Sequence, residues 1–375
     1  MKIALFTDTF PPQVNGVANT VARYATALSE MGHEVCVFTV SNLSSAELEE
    51  ACDHAYQVKT FPSIPSFIYP GLRACLPFIG ALRAVRKFNP DIIHTHTPFG
   101  VGWNALHAAR KLNVPLVGTH HTFFDHYLKH IYVDYAWARS LVWKLTVAYY
   151  NRCSLVTSPT VSLREGLVDH GLNAPVELVP NILDTNLYTP PLSRTHSTHK
   201  TIVYMGRLSY EKSVDDVLRA MAHIVKRIPN TVLLIIGDGP ERARLEALSA
   251  TLGISEQCIF TGFLFKGELV HALGQADVYL TGSKSENMPL ALLEAMAVGL
   301  PIVAVRSLGL EEILIHRRNA LLTAPDSPLE IADRTIELLE NETLRRQYAE
   351  ASRTMALAYS PETIMNRVVS LYKAL

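Results

Sequence analysis

No CxxC pair occurs in this chain, and its five cysteines, Cys36, Cys52, Cys75, Cys153 and Cys258, are scattered. An odd, dispersed set argues against a disulfide framework and for a reducing cytosol. No D-x-D is present to hold a metal-bound diphosphate. The glycines of PPQVNGVA and IGDGPER do not complete the G-x-G-x-x-G spacing, so nothing supports a nicotinamide cofactor. No stretch reaches the roughly 18 apolar residues of a membrane span, and MKIALF is too short an apolar run for a signal peptide. Neither sign of charge is in excess: 34 Lys+Arg stand against 35 Asp+Glu, so no global field recruits nucleic acid.

What is present is a long, patterned chain. Hydrophobic residues make up 48% and charged residues 18%, as in soluble globular proteins, and 375 residues exceed one ordinary core. Short apolar runs alternate with helical periodicity in two series, which predicts α/β architecture: two Rossmann-like βαβ domains. In the first series Lys2 to Phe6, Glu34 to Val40, the runs DIIHT and VPLVGT, Ser154 to Ser158 and Glu177 to Val179 read as strands. A helix is expected between Asn15-Gly16 and Gly32, where glycine can close it. Residues 1–180 form this first domain, and 181–200, polar with paired prolines, read as a linker. Strands at Thr201 to Met205, Thr231 to Ile236, Cys258 to Thr261, Val278 to Thr281 and Pro301 to Val305 place the second domain over 201–355. Beyond Leu322 the pattern is helical, and the helix of 356–375, opened by Ser360-Pro361, is expected to cross back to the first domain.

Ligands of open α/β sheets collect at the carboxyl ends of strands, and four stretches carry chemistry there. In TGSKSENMPLALLEAMAVGLP, Glu286 sits in a loop and Glu294 on the second turn of a helix expected to begin near Pro289. A diphosphate resting on that helix N-terminus has a carboxylate on each side, which suits a nucleotide-sugar, with hydroxyls at both ends of its diphosphate. The competing reading makes Glu286 a solvated loop residue and Glu294 an exposed helix residue. Arg207 and Lys212 in GRLSYEKS bracket another helix entry, as a diphosphate site or as surface charges. Gly16 opens the first helix, and its bare backbone lets a ligand approach closely; an ordinary turn explains it equally. His94, His96, His120 and His121 end two strands. With His126 and His130 they invite a metal reading, but no carboxylate joins them in a ligand pattern.

Together these landmarks resemble glycosyltransferase family 4, the retaining nucleotide-sugar transferases of GT-B fold, with two domains facing across a cleft. The resemblance spans nearly the whole chain. Its most specific element is E-x7-E, here Glu286 and Glu294 in SENMPLALLEAM followed by GLPIVA, with PPQVNGVA, VPNILD, GRLSYEKS and IGDGPER in family order. It implies Arg207 and Lys212 on the donor diphosphate, Glu294 on ribose hydroxyls, Glu286 on the transferred sugar, and Gly16 near the phosphates. Asn287, Met288, Pro289 and Leu290 complete the implied donor-binding stretch, and the His-Thr pattern points to His121, rather than His120, beside the reacting sugar. No cofactor or metal is implied. The chain departs from the family pattern at Asn287-Met288-Pro289, where a small or aromatic residue and then glycine is commoner, and in SLGLEE at 307 to 312, where Gly-Gly is usual.

FTDTFPPQVNGV, FPSIPSFIYPGLR and GTHHTFFDHYLKH look like the subset acting on membrane lipids, such as diacylglycerol glucosyltransferases and phosphatidylinositol mannosyltransferases. The acid-free basic run from Arg73 to Lys87 suits peripheral docking of a cytoplasmic enzyme on an anionic leaflet. The expected donor is UDP-glucose or GDP-mannose. A soluble sugar or glycan acceptor, a nucleotide-sugar 2-epimerase of similar build, a histidine-dependent metallohydrolase and a non-catalytic sugar-nucleotide sensor are the competing classes.

Overall fold

The computed structural model describes residues 1–13, 15–41, 56–65, 73–75, 79–124, 128, 135–191 and 199–375. The chain divides into two compact units, Met1–Ile182 with Pro361–Leu375, and Leu183–Ser360.

The first unit runs β1 (Lys2–Phe6), α1 (Gly16–Glu30), β2 (Glu34–Thr39), β3 (Gln57–Thr60), the two-residue β4 (Ile64–Pro65) and β5 (Arg73–Ala74), α2 (Ile79–Phe88), β6 (Ile92–Thr95), α3 (Gly100–Leu112), β7 (Leu116–Thr119), α4 (Ala136–Tyr150), β8 (Leu155–Ser158), α5 (Val161–Asp169) and β9 (Val176–Leu178). The second runs β10 (Lys200–Met205), α6 (Val214–Arg227), β11 (Thr231–Ile236), α7 (Arg242–Thr251), β12 (Cys258–Gly262), α8 (Lys266–Gln275), β13 (Val278–Thr281), α9 (Leu290–Ala297), β14 (Ile302–Val305), α10 (Leu308–Glu311), β15 (Ala320–Thr323), α11 (Pro328–Glu340) and α12 (Glu342–Ala356). The last helix, α13 (Pro361–Lys373), belongs to the first unit.

Both main sheets are parallel, in the orders β3-β2-β1-β6-β7-β8-β9 and β12-β11-β10-β13-β14-β15. Near-continuous apolar strands such as KIALF suit sheets covered on both faces. Ile3 and Leu5 pack with Val21 and Leu28 of α1 and with Ile364, Val368 and Tyr372 of α13. Ala4 and Phe6, on the opposite pleat, pack with Val85 of α2, Val101 and Ala105 of α3, and Val147 of α4. In the second unit α6 and α11 cover one face through Val217 and Ile331, and α8 and α9 the other through Leu273 and Leu293. Local signals set the ends. The Asn15 side chain accepts from Ala18 N at 2.9 Å to cap α1, and Gly32, at φ 81°, closes it.

Three features differ from expectation. β3 and β15 are strands that four-residue runs, QVKT and ALLT, are too short to announce by periodicity. Pro289 caps α9 from outside, at φ −71° and ψ 123°, instead of occupying its first helical position. The stretch expected as a linker is partly packed: Leu183 and Tyr188 lie in the second unit's core, and Asp184 accepts from Asn186 N and Leu187 N. Residues 192–198 of that stretch lie outside the described residues, as do Cys52, His126, His130 and much of the 61–78 region. The other four cysteines are buried thiols outside any disulfide. Among the described residues no helix is long and apolar enough to cross a membrane.

Candidate functional site

Strand order reverses between β10 and β13, and a doubly wound sheet binds ligands at the carboxyl ends of the strands beside such a reversal. Two loops of the second unit meet there. The one after β10 is held from below: the Tyr204 hydroxyl donates to Arg207 O at 3.3 Å, the Tyr279 hydroxyl to Met205 O at 3.2 Å, and Leu208 is buried. A single 3-10 turn, Tyr210–Lys212, follows, and Ser213, in the left-handed region at φ 48°, turns the chain into α6. Lys212 Nζ thereby reaches Glu286 Oε1 at 2.7 Å, in the loop after β13, with the side chains 22% and 13% exposed. Residues 74 apart in sequence are thus in direct contact.

Glu294, on the second turn of α9, is 6% exposed, which removes the reading of it as an exposed helix residue. Burial, seconded by the carboxylates of Glu286 and Glu294, raises the Tyr279 phenol. Both acids of the E-x7-E pattern therefore act on one buried ring. Arg207 lies one turn before Lys212 with its side chain exposed. Asn287 and the buried Met288 precede the Pro289 cap, and Leu290 opens the helix. Sequence reasoning missed Gly309: a Cβ there would stand 2.1 Å from Asn287 O and 2.2 Å from Glu286 O. The short α10 therefore buttresses the Glu286 loop through a bare backbone. Ser283 Oγ and Ser307 Oγ are buried beside these loops with no partner among the described residues.

In the first unit the reversal falls between β1 and β6. Asp8, just past β1, is buried. It accepts from Thr97 Oγ1 at 2.5 Å and from Val101 N at 2.9 Å, so one carboxylate ties the β1 loop to the β6 loop and serves the N-terminus of α3. Burial pushes it up to about 6 against the pull of these donors. Its signal was an acid placed directly after a strand. Gly16, first residue of α1, is exposed, and a Cβ built on it meets no atom within 4 Å. The fold itself does not demand glycine there.

The strand-end histidines separate by packing. His94 Nδ1 is 2.5 Å from the Tyr372 hydroxyl and Nε2 2.6 Å from Thr119 Oγ1. His96 Nδ1 is 3.1 Å from His121 Nε2. His120 lies among the rings of Phe124, Trp143 and Tyr150, and neither of its ring nitrogens has a partner among the described residues. Burial lowers all four, His94 and His120 to about 3, His121 to about 4 and His96 well below the ordinary value, so they are neutral at pH 7. No three His, Cys, Asp or Glu side chains converge as a metal-binding set among the described residues.

Two family models match the chain: "Glycosyltransferase Family 4" over residues 14–187 and "Glycosyl transferases group 1" over residues 193–355. The alpha-monoglucosyldiacylglycerol synthase of Streptococcus pneumoniae is 30% identical over 81% of this chain and 71% of its own length. The GDP-mannose-dependent alpha-mannosyltransferase of Mycobacterium tuberculosis is 28% identical over 100% of this chain and 97% of its own. Among solved structures, Anabaena HepE in complex with UDP superposes with a TM-score of 0.82 at 20% identity, covering 100% of both chains.

Proposed function

This chain belongs to glycosyltransferase family 4 and is a glycosyltransferase of the two-domain GT-B kind, and from that premise we propose that it moves a hexose, with retention, from a nucleoside-diphosphate sugar to a hydroxyl of a membrane lipid such as diacylglycerol. The contact between Lys212 and Glu286 carries the donor side. Cleaving the anomeric C–O bond builds negative charge on the departing diphosphate. Fixed cations aimed at that charge stabilise the transition state, Arg207 as a planar fork and Lys212 as a point charge. A diphosphate competes with Glu286 for Lys212, so its arrival frees the Glu286 carboxylate to accept from hydroxyls of the transferred sugar. Glu294 takes the ribose hydroxyls, the backbone around Asn287 to Leu290 brings the helix N-terminus to the phosphates, and Gly16 leaves them room. His121 stands on the reacting-sugar side. No metal is needed in this scheme, and added chelator should leave the rate unchanged.

UDP-glucose is the favoured donor and GDP-mannose the alternative, in keeping with the names of the relatives. The acceptor reading draws support from one layer of the first unit. Helices α2, α3 and α4 pack on the same sheet face and contain no acidic residue, while Arg83, Arg86, Lys87, Arg110, Lys111, Arg139 and Lys144 on them are exposed. Trp137, Leu141 and Leu145, at i, i+4 and i+8 of α4, are also exposed, 65%, 48% and 60%. A basic layer with an apolar stripe suits an anionic leaflet on the cytoplasmic side. The solved sucrose-phosphate synthase of the same fold keeps a soluble sugar acceptor as the second reading. Thermal-shift titration with UDP-, GDP- and ADP-sugars names the donor. Transfer of label from that donor into diacylglycerol vesicles is then expected, and label appearing only in soluble sugars would overturn the lipid acceptor.

A further inference from the structure

The roles given above leave His96 without one, yet it is 1% exposed and its Nδ1 lies 3.1 Å from Nε2 of His121. Its ring stacks on His94 at 4.2 Å and 28°, which is braced in turn by Tyr372 and Thr119, and it lies nearly parallel to the His121 ring at 18°. One proton is shared between His96 Nδ1 and His121 Nε2, and both rings are neutral, so each carries a single N–H. Suppose His121 held the shared proton on Nε2. His96 would then accept at Nδ1 and carry its own proton on Nε2, a buried position with no partner among the described residues. The nearby Tyr24 ring, T-shaped to it with centroids 5.2 Å apart, supplies no hydrogen-bonding oxygen to that nitrogen, and a ring face is at best a weak acceptor. An orphaned buried N–H is costlier than an unfilled lone pair, so the opposite arrangement wins.

We infer that His96 is a positioning residue: it donates from Nδ1 to His121 Nε2, locks His121 as the Nδ1–H tautomer, and so makes His121 a hydrogen-bond donor toward a sugar hydroxyl oxygen instead of a base. This rests on the reading that His121 stands beside the reacting sugar. His121 Nε2 is thereby no acceptor for the hydroxyl proton, in keeping with the retaining chemistry of the family. As the acceptor oxygen bonds the anomeric carbon, the bond from that carbon to the diphosphate oxygen breaks, and the acceptor's proton passes to that departing oxygen.

The test uses the full chain labelled with 15N-histidine, His121 being assigned by His121→Gln. Wild-type His121 is expected to show a protonated Nδ1 and a bare Nε2; a proton on Nε2 overturns the inference whether or not any variant folds. His96→Phe should lower kcat on the order of 10- to 100-fold, the scale known for groups that orient metal-bound histidines, at unchanged donor KM. His96→Asn, which sets an amide N–H close to the position of Nδ1, should recover much of the loss. Wild-type kcat in His96→Phe would overturn the positioning role. Full turnover in His121→Ala would instead sink the role of His121 beneath it, a result the tautomer spectrum does not share.

Discussion

His120 and His121 are adjacent and chemically identical in the sequence, and only packing assigns them different work. His120 is fully buried in an aromatic box with two ring nitrogens that find no partner among the described residues, which costs stability. Replacing it by Phe removes the stranded polar atoms, so His120→Phe should match or exceed wild-type stability, by up to about 1 kcal/mol in urea unfolding, and retain activity. For Arg207 and Lys212 the expectation is reversed. Each alanine variant should fold normally and lose on the order of 10²- to 10³-fold in kcat, the usual effect of deleting one charge-stabilising donor; steady-state kinetics on saturating donor measures it. The residue types of this half-site were legible because cations and acids after strands stand out against apolar runs. Asp8 carries the same signal, an acid just past a strand, but its role was not legible, because its partners Thr97 and a backbone N–H lie some 90 residues away.

Among the elements, strands of five or six residues dominated by apolar side chains, such as β1, β10 and β11, were readable, while β3 and β15 drew their identity from the neighbours they pair with. Loop geometry was the least readable part. SLGLEE stood out as a departure from the family pattern, but its service as a buttress depends on the approach of Gly309 to the Glu286–Asn287 backbone. Gly309→Ala must push that backbone away. It should raise donor KM and lower kcat with little change in secondary structure by circular dichroism, whereas unchanged kinetics would show the loop yielding freely. On α4 the exposed Trp137, Leu141 and Leu145 form a stripe that an ordinary surface helix would not carry. Leu141→Glu with Leu145→Glu should abolish co-sedimentation with anionic liposomes while leaving thermal stability intact; equal pelleting of wild type and variant would remove α4 from the membrane contact.

At the scale of the whole molecule the two units differ in acid sensitivity. His94, His96, His120 and His121 all belong to the first unit, and burial sets their folded values well below the unfolded value of 6.5. The unfolded chain therefore takes up protons that the fold refuses, and stability present above pH 6.5 is lost as pH falls toward 4. Asp8 acts in the opposite sense: raised to about 6 from 3.8, it favours the fold at low pH and loses that contribution as pH rises through 6. Four groups oppose one, so the net effect of acid between pH 6.5 and 4 is a loss of first-unit stability. All three tryptophans, Trp103, Trp137 and Trp143, lie in the first unit, so their fluorescence reports it alone. It should show an unfolding transition between pH 6.5 and 4, and a flat signal across that range would refute the account.

The return of α13 to the first unit bears on how the protein is made. Ile364, Val368 and Tyr372 belong to the core built by Ile3, Leu5 and Val21, so β1 waits for a helix translated after the whole of the second unit. The second unit is one continuous segment, Leu183–Ser360, and is free to close as it leaves the ribosome. Its synthesis takes on the order of ten to forty seconds at ordinary elongation rates. During that interval the half-finished first unit must keep an apolar sheet face from its neighbours on the polysome. The order of maturation is thereby inverted: the unit begun first is free to finish only after the one begun second.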